Sequence, residues 1–338
     1  VADRPAGEQR VIALGDQTLG GPVFEDLEIG QAYAAPSVTL TEGLAAAHQA
    51  VLGDRLLMPL SHPLTERVLG PGPVMAHPAL VWDIAIGQST VVTQRVKANL
   101  FYRGLCFSRV PRIGDTLTTI TEVAALRDNA PRTGRGPTGL ARLRMTCTDH
   151  EGRTILTGDR CAMLPYSSED ERRGRADDVT FDHPGDLEGL RTEAEAWDAD
   201  DLPVARVPDP EVWHAVPGGD RVVAAPLLTR LSLNLAVTHG VSEDASLVYG
   251  GHVIGTAFAQ LTRAIPGIVA VAGWPSCDHR APVREGDILT SAFRVEGKEP
   301  RTWGPLRVLA LSVRTSRMRS PDDAAEVVLD WRLDVLVR

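Results

Sequence analysis

Lysine is almost missing from this chain of 338 residues: Lys97 and Lys298 are two of 35 basic side chains, and arginine supplies the rest. That bias carries no functional reading by itself. Basic charge as a whole is in deficit. Asp and Glu number 44, the formal net charge is −9, and nucleic acid is not expected as the main partner, because a phosphate backbone calls for a basic surface. A single anionic ligand held by a few local arginines stays compatible with the balance. Cysteine is scarce and scattered. Cys106, Cys147, Cys161 and Cys277 form no C-x-x-C pair and none stands beside a histidine in metal-ligand spacing, so neither a metal site nor a disulfide scaffold is expected and a reducing, cytoplasmic setting is. Apolar runs are short, Ile268-Val269-Ala270-Val271-Ala272 being among the longest. A membrane-spanning helix needs roughly 20 such residues, so no membrane association is expected. Val1 to Gly15 carries Asp3, Arg4, Glu8 and Arg10 without an apolar core, so no signal peptide is expected there. What is present is an ordinary globular composition, 43% hydrophobic and 23% charged, with length for about two domains.

The middle of the chain differs from both ends. From Ser167 to Asp220 it is crowded with acids, arginines, Pro and Gly, as in Ser168-Glu169-Asp170-Glu171-Arg172-Arg173-Gly174. This reads as a long surface connection with a short helix around Leu187 to Trp197. The flanking halves look like copies. Arg109-Val110-Pro111-Arg112-Ile113-Gly114-Asp115-Thr116-Leu117 returns as Arg280-Ala281-Pro282-Val283-Arg284-Glu285-Gly286-Asp287-Ile288-Leu289, with one inserted residue and a Gly-Asp offset of 172 (287 − 115). Upstream, the apolar stretch from His77 returns from His252 at an offset of 175 (252 − 77). Two matches at nearly one spacing point to an internal duplication. Each half reads as an apolar helix, a strand, the Gly-Asp turn, and alternating strands: Thr116 to Val123, Leu140 to Asp149 and Thr154 to Pro165, then Ile288 to Glu296, Leu306 to Thr315 and Ala325 to Leu336. Leu329-Asp330-Trp331-Arg332-Leu333-Asp334-Val335 alternates strictly, so one face is buried and the other wet. A long apolar helix wrapped by an antiparallel sheet is an α+β layout. The expected division is residues 1–168, an acidic linker 169–220, and residues 221–338.

Several segments resemble the MaoC-like (R)-specific enoyl-CoA hydratases in their double hot-dog form. Phe24-Glu25-Asp26-Leu27-Glu28-Ile29-Gly30-Gln31 matches the opening strand of such domains, and the Gly-Asp segments match their later turn and strand. Asn99-Leu100 through Asn129, and Leu247-Val248-Tyr249-Gly250-Gly251-His252-Val253-Ile254, are most similar to the long mesaconyl-CoA hydratases, also called β-methylmalyl-CoA dehydratases. The resemblance covers most of both halves and fails in the acidic middle. It implies a double hot-dog fold, a lyase that hydrates an enoyl-CoA or dehydrates a 3-hydroxyacyl-CoA, a short branched or dicarboxylic acyl group such as mesaconyl, no cofactor besides the CoA of the substrate, and a homodimer.

The family's motif is an Asp with a His five residues on, followed by a helix whose N-terminal Gly donates its backbone N–H. Its match here is Asn234-Leu235-Ala236-Val237-Thr238-His239, with Asn where Asp is usual, and then Gly250-Gly251 opening a helix near His252. An amide is neither acid nor base at neutral pH, so proton transfer falls on His239, which titrates in the right range. Asn234 would orient water. The Gly251 N–H would stabilise the thioester oxyanion, with glycine permitting close approach. Gly250, His252, Arg280, Arg284 and Arg109 are the candidate substrate and CoA contacts, the arginines because a guanidinium suits phosphate. Taken singly, His239 also reads as a structural histidine, Gly250-Gly251 as a turn, and His252 as a packing or capping residue. The first half, with Ala76 where the second has Gly251, reads as a degenerate copy that shapes the acyl pocket. Two other functions compete. A hot-dog thioesterase would place an acid on the helix, as Asp83 stands in the first half but nothing does in the second before Arg263. A non-catalytic acyl-CoA-binding protein would explain the loss of the acid at Asn234.

Overall fold

The computed structural model describes residues 11–180, 185–239, 247–297, 301–320 and 323–338. Most of the residues on which the absence of a leader was expected lie outside this range, as does Lys298. Eight long strands carry the architecture: β1 Ala98–Phe107, β2 Thr116–Asp128, β3 Thr138–Thr148 and β4 Thr154–Pro165, then β5 Ile268–His279, β6 Ile288–Val295, β7 Leu306–Met318 and β8 Glu326–Val337. Their order across one continuous sheet is β2-β3-β4-β1-β5-β8-β7-β6, so the second half repeats the first in mirror sequence about the β1–β5 junction. That junction is antiparallel, pairing Tyr102 with Cys277 and Cys106 with Gly273. A side chain at Gly273 would meet the Leu105 carbonyl at 2.6 Å, which is why the two backbones can close there. Pairing the two inner edges removes the exposed ladders that each half alone would present.

Each half wraps a central helix, Pro78–Gln88 in the first and Gly250–Ala264 in the second. Every residue of the first is buried. Apart from Asp83 and Gln88 it is apolar all round, because it lies between its own sheet and the opposite half. Trp82 on this helix packs edge-on against Trp274 at 4.8 Å and Phe258 at 5.6 Å between ring centres, and Trp274 against Trp331 at 5.4 Å. These rings come from both halves and form one shared core.

The duplication extends to individual hydrogen bonds. In each Gly-Asp turn the glycine takes a positive φ, +100° at Gly114 and +90° at Gly286, and the aspartate accepts the N–H of the arginine three residues back, at 2.8 Å in Asp115 and 2.9 Å in Asp287. Gln88 and Gln260, also 172 positions apart (260 − 88), each donate from the central helix to a strand carbonyl, Leu117 at 2.9 Å and Leu289 at 2.8 Å.

Two expectations are corrected. The octapeptide from Phe24 is not a strand: Phe24–Asp26 forms a 3-10 turn, with Asp26 accepting the Val23 N–H at 3.0 Å, and the strand follows at Ala32–Ala34. The turn drives Phe24 into a space left open by Gly139. The acidic middle carries the expected helix, at Glu188–Glu195, yet it is no loose tether. Leu190, Ala194, Trp197 and Leu202 are buried in the main core, and Glu193 accepts the Val110 N–H at 2.9 Å.

Candidate active site

The second central helix begins where the first one ends, and a cavity of about 350 Å³ opens between them. One wall is the segment carrying Asn234 and His239. It belongs to the second half but is strapped to the first: the Leu235 N–H donates to Thr90 Oγ1 at 2.8 Å and the Val237 N–H to the Gln94 carbonyl at 2.9 Å. Gly87 on the first helix has no side chain, and the Ser232 carbonyl occupies the place one would take. That close approach holds the strap against the helix end.

Asn234 and His239 both line the cavity. Asn234 Oδ1 accepts the Ala236 N–H at 2.9 Å, an Asx-turn that leaves the amide NH₂ to face a ligand. His239 Nδ1 lies 2.9 Å from the Leu247 carbonyl. A carbonyl only accepts, so Nδ1 carries the proton and Nε2 keeps its lone pair. Burial pushes the imidazole below its ordinary value of 6.5, outweighing the opposite pull of that carbonyl. The ring is therefore neutral and basic at Nε2 at neutral pH.

The glycines divide. Gly250 lines the cavity, and Gly251 does not. A side chain at Gly251 would collide with the Asp83 carboxylate and the Tyr249 ring, so this glycine lets the first helix approach the start of the second. Its N–H still belongs to the first turn, whose donors lack intrahelical acceptors. His252 is buried away from the cavity and its imidazole is pushed down to about 4 by desolvation. Arg280 lines the rim and is exposed, with Nε 2.9 Å from Asp330. Arg284 and Arg109 are not brought to the cavity. The Arg284 N–H is held by the Asp287 turn, and Arg109 pairs with Asp149 at 2.9 Å and Asp115 at 3.4 Å in the corresponding turn of the first half.

The structure also places residues in the wall that motif reasoning passed over. His279, at the end of β5, stands over the helix start: a side chain on Gly250 would lie 2.7 Å from its Nε2. Desolvation pushes His279 down to about 4, and its buried Nε2 has no hydrogen-bond partner. Tyr249 caps the helix, and burial, with the Asp83 carboxyl beside it, raises its phenol far above the ordinary value. Lys97, Asn99, Tyr102 and Arg160 come from β1, β4 and the segment before them. The described wall contains Lys97, Arg160 and Arg280 and no Asp or Glu, in a chain of net charge −9. No group of three His, Cys, Asp or Glu residues among the described ones is arranged to hold a metal, and no helix is long and apolar enough to cross a membrane.

Comparison with known proteins adds the lineage. The solved structure of RV0216 from Mycobacterium tuberculosis, which has a double hot-dog fold, is 44% identical, covering 94% of this chain and 98% of that one with a TM-score of 0.85. The chain belongs to the same double hot-dog family as that protein. A MaoC domain protein from Chloroflexus aurantiacus superposes with a TM-score of 0.75 at 22% identity, over 94% of this chain and 97% of that chain. The β-methylmalyl-CoA dehydratase of the same organism is 25% identical over 323 residues, 89% of each chain. No family model matches the chain. Both halves of the double hot-dog line one cavity here.

Proposed function

We propose that this protein is a hydro-lyase that adds water to an enoyl-CoA thioester, or removes it from the 3-hydroxyacyl-CoA, with a short branched or dicarboxylic acyl chain. The dehydratase named among its relatives supports the reaction class. The observation that carries the reading is that His239, Asn234 and the start of the second central helix line one cavity, with His239 Nδ1 tied to a carbonyl so that Nε2 is the free base.

The chemistry follows from those groups. Water, oriented by the Asn234 amide, loses a proton to His239 Nε2 as its oxygen bonds to Cβ of the alkene. The electron pair of the C=C moves toward the thioester, and negative charge collects on its oxygen. The Gly250 N–H, on the cavity wall at the positive end of the helix dipole, stabilises that charge. The His239 imidazolium then returns the proton to Cα, which leaves the histidine neutral. No cofactor enters these steps. Lys97 and Arg280 are exposed at the rim and suit the phosphates of CoA.

Thioesterase chemistry draws no support from the wall. Asp83, the helix acid that could serve it, is fully buried 3.1 Å from His48 and outside the cavity lining. The test is a scan of the 260–280 nm absorbance of crotonyl-CoA and mesaconyl-CoA with a parallel thiol assay. Loss of the enoyl absorbance without free thiol is expected. Release of thiol would indicate hydrolysis, and binding with neither change would indicate a carrier.

A further inference from the structure

A threonine near the end of each central helix reaches across to the other half. Thr90 and Thr262 stand 172 positions apart (262 − 90), the spacing of the Gly-Asp turns, and both are 2% exposed. Each hydroxyl donates to the carbonyl three residues back, Thr90 to Gly87 at 2.5 Å and Thr262 to Ala259 at 3.0 Å. The oxygen lone pairs stay available, and each takes one N–H from the opposite half. Thr90 Oγ1 accepts from Leu235 at 2.8 Å and Thr262 Oγ1 from Arg55 at 3.2 Å. Leu235 follows Asn234, and Arg55 follows Asp54. Asn234 and Asp54 occupy matching places, since each accepts the N–H two residues on, from Ala236 at 2.9 Å and from Leu56 at 2.6 Å. The contacts are therefore reciprocal, the helix of one half holding the Asx-turn of the other.

One of the two clamps faces the cavity. Thr90 and Asn234 both line it, and Thr262 and Asp54 do not. The strap beside Thr90 has little else to fix it. Leu235 is 49% and Val237 67% exposed, so apolar burial rests on Ala236, which joins the cluster of Val91, Val92 and Val96. The N–H groups of residues 234–237 go to the Thr229 carbonyl, Thr90 Oγ1, Asn234 Oδ1 and the Gln94 carbonyl in turn. Among these acceptors only Thr90 is a side chain of the first half. We infer that Thr90 is a positioning residue for the reaction, fixing the Asn234–Leu235 peptide so that the water-orienting amide and the His239 imidazole keep their places against the acyl chain. The inference rests on the hydro-lyase reading for its chemical step. A misplacement of about 1 Å can cost about 10²-fold in rate, whereas substrate binding is spread over the rest of the wall.

The matched clamp supplies the control. Thr90→Val and Thr262→Val each keep the side-chain shape and delete the same pair of hydrogen bonds, so loss of the bonds as such is common to both. Thr90→Val should lower kcat for crotonyl-CoA by about 10–100-fold with KM near wild type, the pattern of an interaction that acts in the transition state. Thr262→Val should keep wild-type kcat. Thr90→Ser, which retains the hydroxyl, should restore turnover, and Thr90→Ala serves if the valine variant does not fold. A readout independent of catalysis is the NMR titration of His239, identified by its loss in His239→Gln. Desolvation holds that imidazole below 6.5, and the loosened strap of Thr90→Val, but not Thr262→Val, should bring it toward that value. An unchanged kcat in Thr90→Val overturns the inference, and so do equal losses of kcat in the two valine variants. A wild type that hydrates no enoyl-CoA would overturn the hydro-lyase reading, and the His239 titration would then still decide the clamp: movement in Thr90→Val alone upholds it, and no movement, or movement in both variants, overturns it.

Discussion

The two central helices are products of one duplication, yet their first turns lie in opposite surroundings. The second begins beside an open cavity whose described wall holds cations and neutral histidines. The first begins in filled space. His77 caps it, its Nδ1 accepting the Ala79 N–H at 3.0 Å, while its Nε2 lies 2.7 Å from Asp54. His48, Asp54, His77 and Asp83 are all buried there among Leu52, Leu56 and Met58. Burial pushes the His48 imidazole down and the Asp83 carboxyl up, so that pair crosses the helix interface with little charge. Asp54 goes the other way. Burial alone would raise its carboxyl, but His77 and the Leu56 N–H outweigh burial and hold it down. One helix start is therefore free to bind, and the other is closed by its own side chains. The same fold position can serve chemistry or stability, and the loops in front of the helix decide which.

The strongest way to break this contrast is at His239. His239→Gln should lower turnover by about 10²–10⁴-fold, the usual worth of a general base, while thermal stability stays near wild type. Equal loss of both would make His239 a structural residue. The matching change at the closed end is Asp54→Ala, which strands His77. It should cost about 3–5 kcal/mol in chemical denaturation, as removal of one partner of a buried pair does, and leave kcat intact in the folded fraction. Replacing both partners, Asp54→Leu with His77→Met, should recover much of that loss, and failure to recover any would show that the pair does more than fill space.

Asn234→Asp sharpens the comparison from within the cavity. It adds a carboxylate to a wall that has none among the described residues. The imidazolium of His239 would be favoured by the new charge, so the acid limb of the pH–rate profile should move to higher pH. Crotonyl-CoA turnover should hold or rise, and mesaconyl-CoA turnover should fall by about tenfold, because like charges meet in a partly desolvated space. An unchanged ratio would rule out the charge argument.

The smallest expected effect concerns His252, buried in the first turn of the second central helix. An unfolded histidine takes a proton near 6.5, whereas buried His252 resists until about 4. Between those values unfolding takes up a proton, so Tm should fall as pH is lowered through that window. His252→Gln should flatten this slope, and an identical slope in the variant would show that other groups cause it.

Much of this molecule is legible in one dimension. The repeated Gly-Asp turns report the duplication because their chemistry is local: a glycine at positive φ and an aspartate capping its own turn. The long strands show their period of two, and Thr154–Pro165 falls where the alternation puts it. The Asn234–His239 spacing is readable along the chain because it is local, and both residues line the cavity. Arg160 left only a faint trace, an arginine in register with Leu156, Gly158, Ala162 and Leu164 on its strand. His279 left none, since it meets the helix start only where β5 folds back beside the second central helix. Gly251, expected to face the thioester, instead lets Asp83 and Tyr249 pack against the helix.

The sequence by itself determined the elements and their duplication, because turn geometry, strand period and helix capping depend on neighbours along the chain. Only the tertiary structure decided which of two equivalent helix starts became a cavity and which side chains line it. Those side chains come from both halves, and their charges act through space across distances that bear no relation to their separation in sequence.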